Sequence, residues 1–166
     1  MKKRLMLIVL VFGMATLCIS AESFSQRVLA NIQPALQVIW PEAELSFGQL
    51  TIGLNESATI QLKVLANVGY SITLETNSPY LKEYIMETGT YGVNKLKEAL
   101  QISIDDGVNW LPLEKGLVLV NKPEGSPVED IYKIKYQQVM SFPADKALNE
   151  GSYYTTEITL LVTPLI

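Results

Sequence analysis

The sequence predicts an all-β protein, an immunoglobulin-like or jelly-roll antiparallel β-sandwich, and three observations lead there. Apolar and polar residues alternate with period two in several separate runs, the mark of strands with one buried and one wet face. Gly, Pro, Asn and Asp punctuate those runs at short intervals. Helical spacings are few, and no internal repeat is visible in the 166 residues. The clearest run covers residues 58–76. Ala58, Ile60, Leu62 and Val64 share one parity against Thr59, Gln61 and Lys63; after residues 67–69, Tyr70, Ile72 and Leu74 alternate with Ser71, Thr73 and Glu75. The two halves read as adjacent antiparallel strands joined by a short turn, and such a hairpin needs a second layer over its apolar face.

In chain order, residues 1–21 come first and read as a secretory signal peptide. Lys2, Lys3 and Arg4 precede an almost unbroken apolar run over residues 5–19, and small residues follow at Ser20, Ala21 and Ser23, so cleavage fits after Ala21 or after Ser23. The apolar run is too short for a comfortable membrane span. Cys18 sits where a lipoprotein cysteine would, but Leu17 precedes it, where a lipobox resemblance would want a small residue; it goes with the leader. The exported chain then has no cysteine, and its stability rests on packing and sheet hydrogen bonds rather than disulfides. Ten basic side chains remain against seventeen acidic ones, a net charge of −7. An acidic surface without a basic cluster argues against nucleic acid or anionic lipid as partners.

Residues 22–30 read as a short polar and small segment, disordered or lying against a sheet edge, within a flexible N-terminal segment of residues 22–33, and residues 34–166 form a single sandwich domain. A first strand is expected within residues 32–40, with Pro34 confined to its edge or start and Pro41 ending it. Residues 44–47 alternate and read as a short strand closed by Gly48. Residues 53–57 read as a polar turn; Asn55-Glu56-Ser57 matches a glycosylation acceptor, but a turn is the plainer reading. Residues 77–99 read as a long irregular connection with one short strand and a helical turn over residues 94–100. Ile102 and Ile104 then alternate with Gln101 and Ser103, Asp105-Asp106-Gly107 offers a tight turn, and residues 109–113 return. Residues 116–120 form another strand, and residues 121–130 a loop rich in Pro, Gly and acid. From Tyr132 to Phe142, Ile134, Tyr136, Gln138 and Met140 share a parity opposite to Lys133, Lys135 and Gln137, so these tyrosines are expected in the core rather than on a sugar-stacking surface. The last strand is expected as one piece over residues 153–162.

Ser103, Asp105, Gly107 and Trp110, with Asn109 where threonine is commoner, resemble the Asp-box of sialidases and related β-proteins, SxDxGxTW. The resemblance implies a structural turn in which the acidic side chain ties down backbone amides, and not sialidase activity. Asp105, Asp106 and Asn109 are hard oxygen ligands, but an EF-hand needs more acceptors and a distal bidentate Glu, so no metal and no cofactor are expected.

A broader resemblance covers most of the exported chain. Residues 45–50 (LSFGQL), the turn at Asn67-Val68-Gly69, residues 70–74 (YSITL), Gly151-Ser152-Tyr153 and residues 158–162 (ITLLV) resemble WxL-type surface domains, spore coat protein U domains and chaperone-usher pilins. The Trp-x-Leu signature is missing, since Trp110-Leu111-Pro112 does not match, and so is the cysteine pair of the latter two groups. The resemblance implies a class, surface or fimbria-like subunits.

Without His or Cys outside the leader, the usual nucleophile and acid–base arrangements have no members. The close acidic pairs Asp105–Asp106, Glu129–Asp130 and Glu42–Glu44 fall in turns or edges rather than across a cleft as a glycosidase needs. The expectation is therefore a non-catalytic, exported structural or adhesive protein of the cell surface, periplasm or extracellular space. Its partners would be other envelope subunits or its own copies, through residues 22–33 and the long final strand. The alternative is an extracellular carbohydrate-binding module using Tyr80, Tyr84, Tyr91 or Trp40.

Overall fold

The structure, a computed structural model, describes residues 32–40 and 44–165. The expected leader, Cys18, nearly all of the segment 22–33, Pro41 and Glu42 lie outside the described residues. The chain divides into two units, Met1–Ile32 and Gln33–Ile166, and every strand described belongs to the second.

The alternating runs become strands: β1 (Leu36–Ile39), β2 (Gly53–Glu56), β3 (Ile60–Ala66), β4 (Gly69–Thr76), β5 (Lys82–Ile85), β6 (Thr90–Lys95), β7 (Gln101–Ser103), β8 (Leu111–Pro112), β9 (Leu117–Lys122), β10 (Ser126–Met140), β11 (Ser152–Thr155) and β12 (Ile158–Leu165). They form three antiparallel sheets. The first runs β1-β3-β10-β7-β8, with β2 pairing the far end of β10; the second runs β12-β4-β9; the third, smaller one runs β11-β5-β6. The first two close on a shared core. Leu62, Val64 and Ala66 of β3, Ile134 and Tyr136 of β10 and Ile102 of β7 meet Tyr70, Ile72 and Leu74 of β4 in one buried cluster. Each fully buried aliphatic there contributes about 1.5–3 kcal/mol relative to exposure, and Tyr136 is core as its parity indicates.

The expected hairpin over residues 58–76 is corrected. β3 pairs β1 and β10, whereas β4 pairs β12 and β9, so the turn at Asn67-Val68 carries the chain from one sheet to the other as an arch. A second arch, residues 123–125, carries it back from β9 to β10 directly alongside. The two approach so closely that a Cβ on Gly69 would overlap the Pro123 carbonyl and one on Gly125 the Asn67–Val68 peptide. Glycine is what lets two backbones pass at that separation. The Asn67 amide pins the first arch, its Oδ1 accepting from Ala35 N (2.7 Å) and its Nδ2 donating to Gln33 O (3.0 Å).

Other expectations change in detail. Residues 44–47 form no strand. The polar residues 53–56 are β2, not a turn, held by the β10 ladder. Residues 77–99 hold the hairpin β5–β6 and no helical turn. The loop of residues 121–130 shrinks to residues 123–125, because β9 and β10 both extend into it, β10 with a register shift between Ser126 and Asp130. The single last strand is split between two sheets at Thr156-Glu157. There Thr156 Oγ1 donates to Ser78 O (2.8 Å), Glu157 N donates to Asn77 Oδ1 (3.3 Å) and Thr76 Oγ1 donates to Glu157 O (2.9 Å). These local bonds compete with the ladder and turn the chain aside.

Candidate functional site

The arches fix which edges coincide. β3 lies over β4 and β10 over β9, so β1 and β12, on the remaining sides of β3 and β4, share one flank of the sandwich. Neither has an outer neighbour among the described residues. β1 is four residues long and covers only Lys63–Ala66 of β3; β12 offers an eight-residue edge. The inward side chains register the missing neighbour. Ile72 and Leu74 of β4 are fully buried, but Ile158, Leu160 and Val162 of β12 remain half-buried. Below β1, where β3 has lost its partner, the irregular residues 44–50 run beside β12 and β11. Leu45 and Phe47 point toward the core, and a cleft of about 1240 Å³ opens between them, Trp40, Ile60, Ile158 and Leu160. An open cleft beside a strand with one free edge among the described residues suits an extended polypeptide better than a small molecule.

The sequence-predicted turn residues come together at the β7–β8 connection. Ser103 Oγ donates to Asp105 Oδ1 (2.6 Å) and accepts from Gly107 N (2.9 Å), and Asp105 Oδ1 accepts from Asn109 N (2.9 Å). Gly107 takes φ +88° with the Trp110 ring beneath it. The Ser103 bond, then the backbone and side chain of Asn109, hold the Asp105 carboxyl down at about 2. Asp106 is engaged elsewhere. Its carboxylate accepts from Thr59 Oγ1 (2.8 Å) and pairs with Lys133 (3.3 Å), anchoring the turn to β10. Every oxygen of this acidic pair thus has a structural partner. Among the described residues no group of three or more His, Cys, Asp or Glu side chains is placed to hold a metal ion.

The predicted ligand tyrosines also converge, on the third sheet. Tyr84 and Tyr91 are cross-strand partners with ring centroids 5.5 Å apart, edge to face. Tyr80 lies under the Lys95 ammonium, 4.3 Å from the ring centroid. Sequence reasoning missed Tyr153, whose ring is 5.5 Å from Tyr84 on the other side; its place in an alternating run was visible, its partner strand was not.

A polar clasp near the arches was likewise not anticipated. Tyr70 donates to Asp130 (2.6 Å), Tyr132's hydroxyl is 2.7 Å from Tyr70's, and Lys122 Nζ reaches both Asp130 oxygens at 2.7 Å. Burial works to raise Asp130's carboxyl, but the Lys122 and Tyr70 hydrogen bonds outweigh it and hold it below its ordinary value. Burial, then the bonds to Asp130 and Tyr132, push the Tyr70 phenol up. Spanning β4, β9 and β10, the clasp ties the two sheets together.

No protein-family model matches the chain, and no curated protein matches its sequence.

Proposed function

We propose that the protein is a non-catalytic, exported subunit of a cell-surface structure that associates with other envelope subunits, its own copies first, by strand addition along β12. What supports the reading is the shared open flank: an eight-residue edge whose inward residues Ile158, Leu160 and Val162 are only partly buried. An added strand would pair unsatisfied backbone groups and bury those side chains in the same step. Pro164 has no N–H, so pairing runs along residues 158–163. The strand we assign to it is residues 22–33 of a second copy, where Phe24, Val28, Ala30 and Ile32 share one parity against Ser25, Arg27 and Asn31, with Gln26 and Leu29 breaking the alternation. The side chains of one parity fill the seam and those of the other face solvent. Deleting residues 22–33 from the exported protein tests this. Assembly into multimers should be lost while the deleted subunit still accepts a peptide of that sequence; assembly that continues unchanged refutes the donor role.

A further inference from the structure

The outer face of the small sheet carries a combination that neither its own stability nor strand addition requires. Strand pairing sets Tyr91, Tyr84 and Tyr153 in one row across β6, β5 and β11. The outer two are 40% and 47% exposed, so they present ring surface to solvent. Two residues along, in the same parity of β5, Lys82 stands directly opposite Lys95 of β6. Like charges directly opposite each other on a sheet destabilise it. Among the described residues neither ammonium is in an ion pair, and Lys95 rests over the Tyr80 ring. In a chain of formal net charge −4, two facing lysines beside an aromatic row form a local site for an anion. Glu157, beside the Tyr91 end of this face, is turned toward the Asn77 amide (3.4 Å), which also reaches the Tyr91 hydroxyl (3.2 Å).

We propose that this face binds an acidic polysaccharide, sugar rings stacking on the exposed rings of Tyr91 and Tyr153 on either side of Tyr84 while a carboxylate of the chain lies between Lys82 and Lys95. Tyr91 stands edge to face with Tyr84 (77°) and Tyr153 is tilted against it (42°), each with its ring centroid 5.5 Å away, so the faces open to a sugar are those of the two outer, exposed rings. The apolar faces of pyranoses stack on aromatic rings much as bases do, and the ammonium pair supplies the charge selectivity that rings alone lack. The site lies on a different sheet from β12; Tyr153 also lines the cleft beside that strand, but the lysine pair and Tyr91 do not, and backbone pairing along β12 does not use them.

The probes are an oligogalacturonate and its fully methyl-esterified, neutral counterpart, titrated into the exported protein by calorimetry and tyrosine fluorescence. The acid form should bind, weaken with added salt, and exceed the ester by about tenfold or more, as expected when two exposed charge contacts are lost together. Lys82→Gln with Lys95→Gln should bring the acid form down to the affinity of the ester without lowering the melting temperature, since relief of the facing like charges offsets loss of the Lys95 contact with Tyr80. Tyr91→Ala should weaken both probes. No binding of the acid form, equal binding of the two forms, or full affinity in the double lysine variant would each overturn the proposal.

Discussion

Gly69→Ala separates two ways of folding the same residues, because its sign depends on whether β3 and β4 lie side by side or face each other. Without a second arch against it, Gly69, which opens β4 outside the left-handed region, would gain roughly 0.5–1 kcal/mol on replacement by alanine, from the entropy glycine loses on folding. In the arch, the new methyl falls inside the Pro123 carbonyl and 2.8 Å from the Lys122 carbonyl oxygen. Both obstacles are backbone, Lys122 held in the β4–β9 ladder and Pro123 in the arch that follows it, so the neighbouring arch must move. Overpacking of this kind costs about 1–3 kcal/mol, and the upper half of that range applies where the obstacle is a ladder rather than a side-chain tip. The net expectation is a loss of about 1–2 kcal/mol, or a fall in Tm of roughly 3–10 °C for a domain of this size. Thermal and urea melts of dilute protein read it, with an unchanged m-value showing that only stability has moved. A variant as stable as the parent, or more so, would refute the nested arches.

Three further predictions follow from the polar clusters. Asp105→Asn should flatten the acid limb of stability. The wild-type carboxyl is held at about 2 against an ordinary 3.8, so its contribution is complete above the ordinary value and disappears as pH falls toward about 2; melts across that window measure it. Ser103→Ala removes the buried hydroxyl that accepts from Gly107 N and donates to Asp105, and should cost about 1–3 kcal/mol by denaturant titration. Tyr70→Phe leaves the ring in place but takes a hydrogen bond from Asp130. It should cost about 1–2 kcal/mol at neutral pH, and less as acid protonates Asp130.

The fold class was legible because parity is a local property. The residues that alternate inward at Leu62, Val64, Tyr70, Ile72, Leu74, Ile134 and Tyr136 are the buried ones. Which strand pairs which is not local. A two-residue turn between alternating runs has the same composition whether the runs lie side by side or cross between sheets, and only the close passage of Gly69 and Gly125 distinguishes them. For the same reason residues 153–162 read as one strand. Nothing in their alternation signals that Asn77 and Ser78, some eighty positions away, draw off Thr156 and Glu157. The Ser103–Trp110 turn was legible because its hydrogen bonds join residues at most four positions apart. The tyrosine row was legible in part: Tyr84 and Tyr91 are near in sequence, while Tyr153 arrives through the β5–β11 pairing.

The central claim is that the β12 flank is completed by another chain, and the mass of the chain of residues 22–166 tests it most directly. Light scattering after size exclusion, with and without brief heating in detergent, should give multiples of the single-chain mass that persist in detergent and collapse to one chain on heating, because an inserted strand leaves only when the sheet opens. A single-chain mass at every concentration, unheated, would contradict the account and mean that the sandwich is complete with β12 as its edge.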